Sequence, residues 1–262
     1  MLKVNKKINT YKKLGIIALC TGICTVAFGI YFSYWEYRKP LLEVYFFSLT
    51  RGRAVFIRTP GNKTILVGGG QTSETIRQIT KTMPFHRRKI DYLIVPSATP
   101  AQIGGLVEIL DRYEIGEIIQ PKLLATSTAL DVVRTKIRKN KIHVEEVERG
   151  EEVEIETGIK MKVLFPYEGF KYNKTSLPEL GAAISYENTS VYLLGNLSKT
   201  VQKDISKTLE VKSDENIVEY YHSAIESRVS PDLLEKVDPK FTFSTKEKTM
   251  HMVSDGEKWI QD

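Results

Sequence analysis

Residues Leu93 to Leu106 read LIVPSATPAQIGGL. Leu93-Ile94-Val95 is a short apolar run with the pattern of a buried strand. Gly104-Gly105-Leu106 opens a stretch in which Leu106, Ile109, Leu110 and Tyr113 recur at helical spacing. The short polar segment between them therefore lies at the carboxyl end of a strand, where α/β proteins commonly place a site. Its side chains are Ser97, Thr99, Ala101 and Gln102. The segment has the position of an active-site loop and none of the imidazoles or carboxylates that metal chemistry needs.

Outward from this loop the pattern is regular. LEVYFFSL (42–49) and AVFIRT (54–59) read as strands around a tight turn, and TILVGGG (64–70) as a strand running into three glycines. ETIRQITKTM (74–83) is a helix capped by Thr72 or Ser73, and KIDYLIVP (89–96) leads into the loop. A helix over 105–114, a strand over 116–121 and a basic helix over 127–140 follow. Residues 144–166 read as a strand, a turn and a hairpin around Thr157-Gly158, 182–196 as a second hairpin, 198–209 and 230–237 as helices, 216–222 and 240–245 as strands. A last hairpin turns at Asp255-Gly256. Strands and helices thus alternate in two halves, each begun by hairpins. A four-layer sandwich accommodates that order, although periodicity alone allows other α/β or α+β folds.

The net charge of +6 is a property of the N-terminal segment. Residues 1–39 hold seven basic side chains against one acid, whereas residues 40–262 hold 31 of each sign. Residues 14–35, LGIIALCTGICTVAFGIYFSYW, contain no charge. As a helix they span about 33 Å, enough for a bilayer core. Five lysines precede them and Tyr31, Tyr34, Trp35 and Tyr37 crowd the far end, which predicts a cytoplasmic N-terminus and an exported remainder. The expected organisation is a basic tail (1–13), a transmembrane helix (14–35), a linker (36–40) and a domain (41–262). Cys20 and Cys24 fall one helical turn apart inside the apolar span and read as small packing residues.

The order LEVYFFSLTRGRAVFIRTPGNKTILVGGG…KIDYLIVPSATPAQIGGLVEILDRYEIGEI resembles the metallo-β-lactamase-fold domain of ComEC-type competence proteins. That family reads DVGQGDA, LIDGG, THPHADHIGGL, LLTGD and HHGS…SP along the chain. The resemblance implies an α+β domain, a four-layer αββα sandwich, here behind an N-terminal transmembrane helix. It also implies where the metal site would lie. Ser97, Thr99 and Gln102 stand at its three histidine positions and Ala101 at its aspartate. Asn196 replaces the bridging aspartate, Gly68 the aspartate before the glycines, and Ser48 and Arg53 two further aspartates. His222 matches the first histidine of the late pair, and Ser223 the second. With one histidine of the set surviving, a catalytic zinc would lack its ligands, and nothing would bring the pKa of a hydrolytic water toward neutrality.

The resemblance thus implies a pseudoenzyme without cofactor, with no catalytic or metal-binding residue. Three roles remain open: a scaffold or interaction module meeting a protein partner in the cell envelope, a DNA- or phosphate-binding module, or a residual hydrolase. For the second, Arg51 and Arg53 flank Gly52 in the turn that faces the family's site and are candidates for holding an anion such as single-stranded DNA, weakly. Arg134, Lys136 and Arg138 on the basic helix form a candidate basic surface. The bland alternatives are neutral drift of a metal cradle that lost its metal, and a solvated helix face.

Overall fold

Two sheets face each other between residues 41 and 262. In the first, β1 (Leu42–Phe47), β2 (Ala54–Arg58) and β3 (Thr64–Val67) form an antiparallel meander. β4 (Lys89–Ile94), β5 (Glu114–Gln120) and β6 (His143–Glu146) extend it in parallel. Parallel pairing needs crossovers. They run through α2 (Glu74–Thr82), the pair α3 (Pro100–Ile103) and α4 (Leu106–Arg112), and α5 (Thr128–Lys139). The last hairpin, β13 (Met250–Ser254) and β14 (Trp259–Gln261), returns to the opposite edge and pairs with β1. The eight strands run β14-β13-β1-β2-β3-β4-β5-β6.

The second sheet has the order β12-β11-β10-β9-β8-β7. β7 (Glu152–Glu156), β8 (Ile159–Phe165), β9 (Gly181–Tyr186) and β10 (Thr189–Gly195) are antiparallel. β11 (Glu215–Tyr220) and β12 (Phe241–Ser244) join in parallel after α6 (Lys199–Thr208) and α7 (Pro231–Val237). Ser198 and Ser230 cap these two helices, each accepting from a backbone N–H of the first turn.

Three apolar layers hold the unit together. Val44, Ile57, Ile65, Ile184, Val191 and Ile217 meet between the sheets. Phe56, Leu66, Leu93, Ile79, Leu106 and Val133 join the first sheet's outer face to α2–α5. Tyr192, Leu194, Val218, Ile205 and Leu233 do the same for the second sheet with α6 and α7. The alternation of strand side chains sends one set inward and the next outward, and the result is the helix–sheet–sheet–helix sandwich.

The structure, a computed structural model, describes residues 16–17, 19–31, 41–122, 128–170, 179–220, 229–244 and 248–262. The chain divides into units Met1–Pro40 and Leu41–Asp262. In the first, helix α1 takes in residues 16, 17 and 19–31. Its apolar side chains, among them Ile17, Ile23, Phe28 and Ile30, are exposed. Among the described residues no helix is long and apolar enough to cross a membrane. The rest of the 14–35 span, the tail and the linker lie outside the described residues.

The helix expected from Gly105 is α4, which starts at Leu106 behind Gly105. The polar loop before it holds a further short helix that was not expected, α3, which begins at Pro100 behind Thr99. Proline at the first helical position is preorganised for that start. Gly104 and Gly105 serve another purpose. A Cβ on Gly104 would stand 2.3 Å from Gln71 O, and one on Gly105 2.1 Å from Gly69 O. The second glycine pair lets this turn meet the Gly68–Gly70 run backbone to backbone, with Gly105 N–H donating to Gly70 O at 3.0 Å and Gly69 N–H to Gln102 O at 2.7 Å.

Candidate functional site

The strand ends converge on one buried arginine. Arg53 precedes β2 and is fully buried, 0% exposed. Its Nε lies 3.1 Å from Glu219 Oε1 in β11, and its Nη1 3.7 Å from Glu179 Oε1, just before β9. Both carboxylates are buried as well. Gly195, at the end of β10, makes the arrangement possible: its φ is +55°, and a Cβ there would stand 1.7 Å from Arg53 Nη1. The next residue, Asn196, donates its backbone N–H to Glu179 Oε1 at 2.8 Å.

This cluster is the least satisfied part of the interior. None of the three guanidinium nitrogens, neither Glu219 oxygen and not Gln102 Oε1 has a hydrogen-bond partner of good geometry among the described residues. Buried polar groups are nearly always partnered, so such a concentration marks a site rather than ordinary core. Burial pushes the Glu179 carboxyl up to about 7, against the pull of Arg53 and the Asn196 amide, with Glu219 adding to the rise. Burial also raises Glu219, opposed by Arg53 and the Gly195 amide. Two carboxylates face one guanidinium, so a single shared proton near neutral pH makes the cluster electrically neutral.

The expected site residues assemble around this arginine unevenly. Ser97 is buried, pairs by backbone with Glu179 in an isolated bridge, and lies with its hydroxyl 3.0 Å from that of Thr99. Gln102 is buried and turned toward Gly68, where an added Cβ would meet both its Oε1 and Arg53 O at 2.7 Å. The amide thus fills space that a side chain at position 68 would occupy. Ala101 reaches the arginine turn, because a Cβ on Gly52 would stand 2.0 Å from Ala101 O. Asn196 enters through its backbone and exposes its side chain. His222 and Ser223 lie outside the described residues.

The paired anion fork expected of Arg51 and Arg53 is not formed. Arg51 is exposed on the turn, whereas Arg53 is committed to two carboxylates inside. A buried guanidinium keeps such partners because an unpaired charge there is costly. On α5, Arg134 is paired with Asp131 and Lys136 with Asp111, while Arg138 is exposed.

The described residues around the cleft do not fit a metal. Ser97, Thr99, Gln102 and Asn196 offer neutral oxygens and nitrogens, and the two carboxylates already face a fixed cation. A divalent ion between them would meet the guanidinium at close range. Among the described residues no group of three or more His, Cys, Asp or Glu stands together in a way that could hold a metal ion.

Sequence reasoning missed Glu179 and Glu219. The signal for Glu219 was present: an acid inside the otherwise apolar run NIVEYY demands a partner if that run is buried. Glu179 carries no comparable mark, since LPELG reads as an ordinary turn.

No protein-family model and no curated protein matches the chain. Solved structures do. The metallo-β-lactamase fold protein YhfI from Bacillus subtilis superposes with a TM-score of 0.53 at 10% identity, over 79% of this chain and 86% of that one. A CmlA β-hydroxylase mutant gives 0.52 at 14% identity, over 78% and 45%. A long-form RNase Z from yeast gives 0.51 at 11%, over 78% and 37%. The chain spans less than half the length of the last two. At such identities the likeness concerns architecture alone, and the helix–sheet–sheet–helix unit of residues 41–262 has the metallo-β-lactamase fold.

Proposed function

We propose that this chain is a membrane-anchored pseudoenzyme, derived from a ComEC-type metallo-β-lactamase-fold domain, that works by binding: a scaffold or interaction module in an envelope machine. The observation that carries the reading is Arg53. Its guanidinium sits among the strand ends, 3.1 Å from one carboxylate and 3.7 Å from another. It brings a permanent positive charge to the cleft and needs no ion for it. Arginine stays protonated at any pH the protein meets, so it offers no base, and the two carboxylates beside it are engaged with its charge. The exposed apolar surface of α1 supports the anchor, because a helix apolar on all sides needs an apolar environment.

The test uses the full chain. It should fractionate with membranes and, once purified under mild conditions, contain far less than one zinc, manganese or iron per chain. It should cleave neither β-lactams nor phosphodiesters. Near-stoichiometric metal or metal-dependent turnover would overturn the pseudoenzyme reading, and recovery in the soluble fraction would remove the anchor.

A further inference from the structure

The larger sheet has two unlike ends. β1 pairs antiparallel with β2 and β2 with β3, while β3 to β6 are parallel. β1, β3, β4, β5 and β6 therefore all run the same way. The loops after β1, β3 and β4 carry Arg53, Gly68 and Ser97 of the cleft. The first residues of the same strands share the opposite end, and there the chain enters the domain, at Leu42. The segment before β4 at that end is Pro84-Phe85-His86-Arg87-Arg88. Phe85 is 86% exposed, with its ring centroid 5.6 Å from the Arg88 guanidinium carbon. Arg88 is itself exposed, as are Lys139 at the end of α5 and Lys141 ahead of β6. These three cations have no carboxylate partner among the described residues, whereas Arg87 is paired with Asp91.

We propose that this corner of the domain rests on an anionic phospholipid bilayer, with Phe85 among the lipid headgroups and Arg88, Lys139 and Lys141 on the negative surface. The inference rests on the anchored reading and extends it from the helix to the domain. Position argues for this occupant. With residues 14–35 in a bilayer, only residues 36–40 separate the membrane surface from Leu41, and such a stretch reaches at most about 20 Å. β4 lies three strands from β1 in the sheet order, roughly 15 Å across. The Phe85 segment is therefore within reach of lipid when the start of β1 is held there. Chemistry argues likewise. An exposed aromatic ring partitions into the headgroup region, and cations beside it are drawn to anionic lipids. The second sheet brings acids to the same end: Glu156, which accepts from Gly61 N–H at 2.9 Å, and Glu187 beside Gly256. An anionic surface repels those carboxylates, so the contact is confined to the Phe85 corner.

The experiment uses the full chain, reconstituted into vesicles of phosphatidylcholine alone or mixed with phosphatidylglycerol. Phe85→Trp places an indole at the corner, and the emission of the unsubstituted chain, from Trp35 and Trp259, is subtracted. Brominated acyl chains should quench the introduced indole in the mixed vesicles at low salt. High salt, which screens the attraction, or pure phosphatidylcholine should relieve the quenching. Each cation near an anionic surface shifts the ratio of docked to undocked domain roughly fivefold. Arg88→Gln, Lys139→Gln and Lys141→Gln together should then lower that ratio about a hundredfold and abolish the quenching, while the chain still floats with the vesicles. All four side chains are exposed, and an unchanged melting midpoint shows that the variants fold. The proposal falls if the chain floats with the mixed vesicles and the indole is not quenched, the result expected were a protein the partner of this corner. It falls equally if the quenching survives high salt or the triple substitution. A chain that fails to float overturns the anchor, and the docking with it.

Discussion

Arg53 and Arg88 are the same residue in two different jobs. Arg53 is enclosed, faces two carboxylates, and holds loops from both sheets on one charge. Arg88 is exposed at the far end of the first sheet, with an aromatic ring as its recorded partner. Burial decides the difference. Inside, Coulomb attraction is barely screened and desolvation is severe, so the charge is worth most to the fold. Outside, water and salt screen the charge, so it contributes little to stability and stays available to a ligand.

The contrast is sharpest in stability. Arg53→Ala strands two buried carboxylates and should cost about 3–5 kcal/mol, read as a fall in the denaturation midpoint at pH 7.5. Loss below 1 kcal/mol would mean that the guanidinium does not hold the loops. The next effect is in pH. Glu179 titrates near 7 in the fold against 4.5 unfolded, so the folded state binds the extra proton between those values. That contribution is fully present below pH 4.5 and is lost as pH rises through 7, a fall of roughly 3 kcal/mol. Glu179→Gln, which carries an uncharged amide at every pH, should flatten the profile between pH 5 and 8. An unchanged slope would assign the pH dependence elsewhere. The smallest effect belongs to the Phe85 corner: Arg88→Ala with Lys139→Ala should move stability by about 0.5 kcal/mol or less, in line with their solvated positions. A loss comparable to that of Arg53→Ala would erase the distinction between the two regions.

Much of the architecture was legible because it rests on local periodicity. The strand–helix alternation around LIVPSATPAQIGGL places β4, α4 and β5, and the glycines flag the strand-end turns. Register and partners were less accessible. The extra short helix at Pro100 was not read in the polar loop, and the real constraint on Gly104-Gly105 is contact with Gly69 and Gln71, residues some 30 positions earlier in the chain. At the cleft, Ser97, Gln102 and Asn196 were locatable by alignment of motifs, because strand ends fix them. Arg53 was placed there too, but its direction was not readable. Whether a turn arginine points out or in depends on Glu179 and Glu219, more than 120 residues away, and on a glycine at 195 that leaves it room. The Phe85 corner is likewise a product of three distant segments.

The antiparallel pairing of β1 with β13 joins residue 42 to residue 254. During synthesis the first strand is made some 200 residues before its outer neighbour. Until then a strand carrying Val44 and Phe46 keeps one edge of backbone donors and acceptors open, a template for pairing with the wrong chain. The larger sheet is completed only after β13 has left the ribosome, so a half-made domain is the form most in need of a chaperone. A stop codon before residue 250 would leave that edge open permanently, and such a fragment is expected to aggregate rather than accumulate as a smaller folded domain.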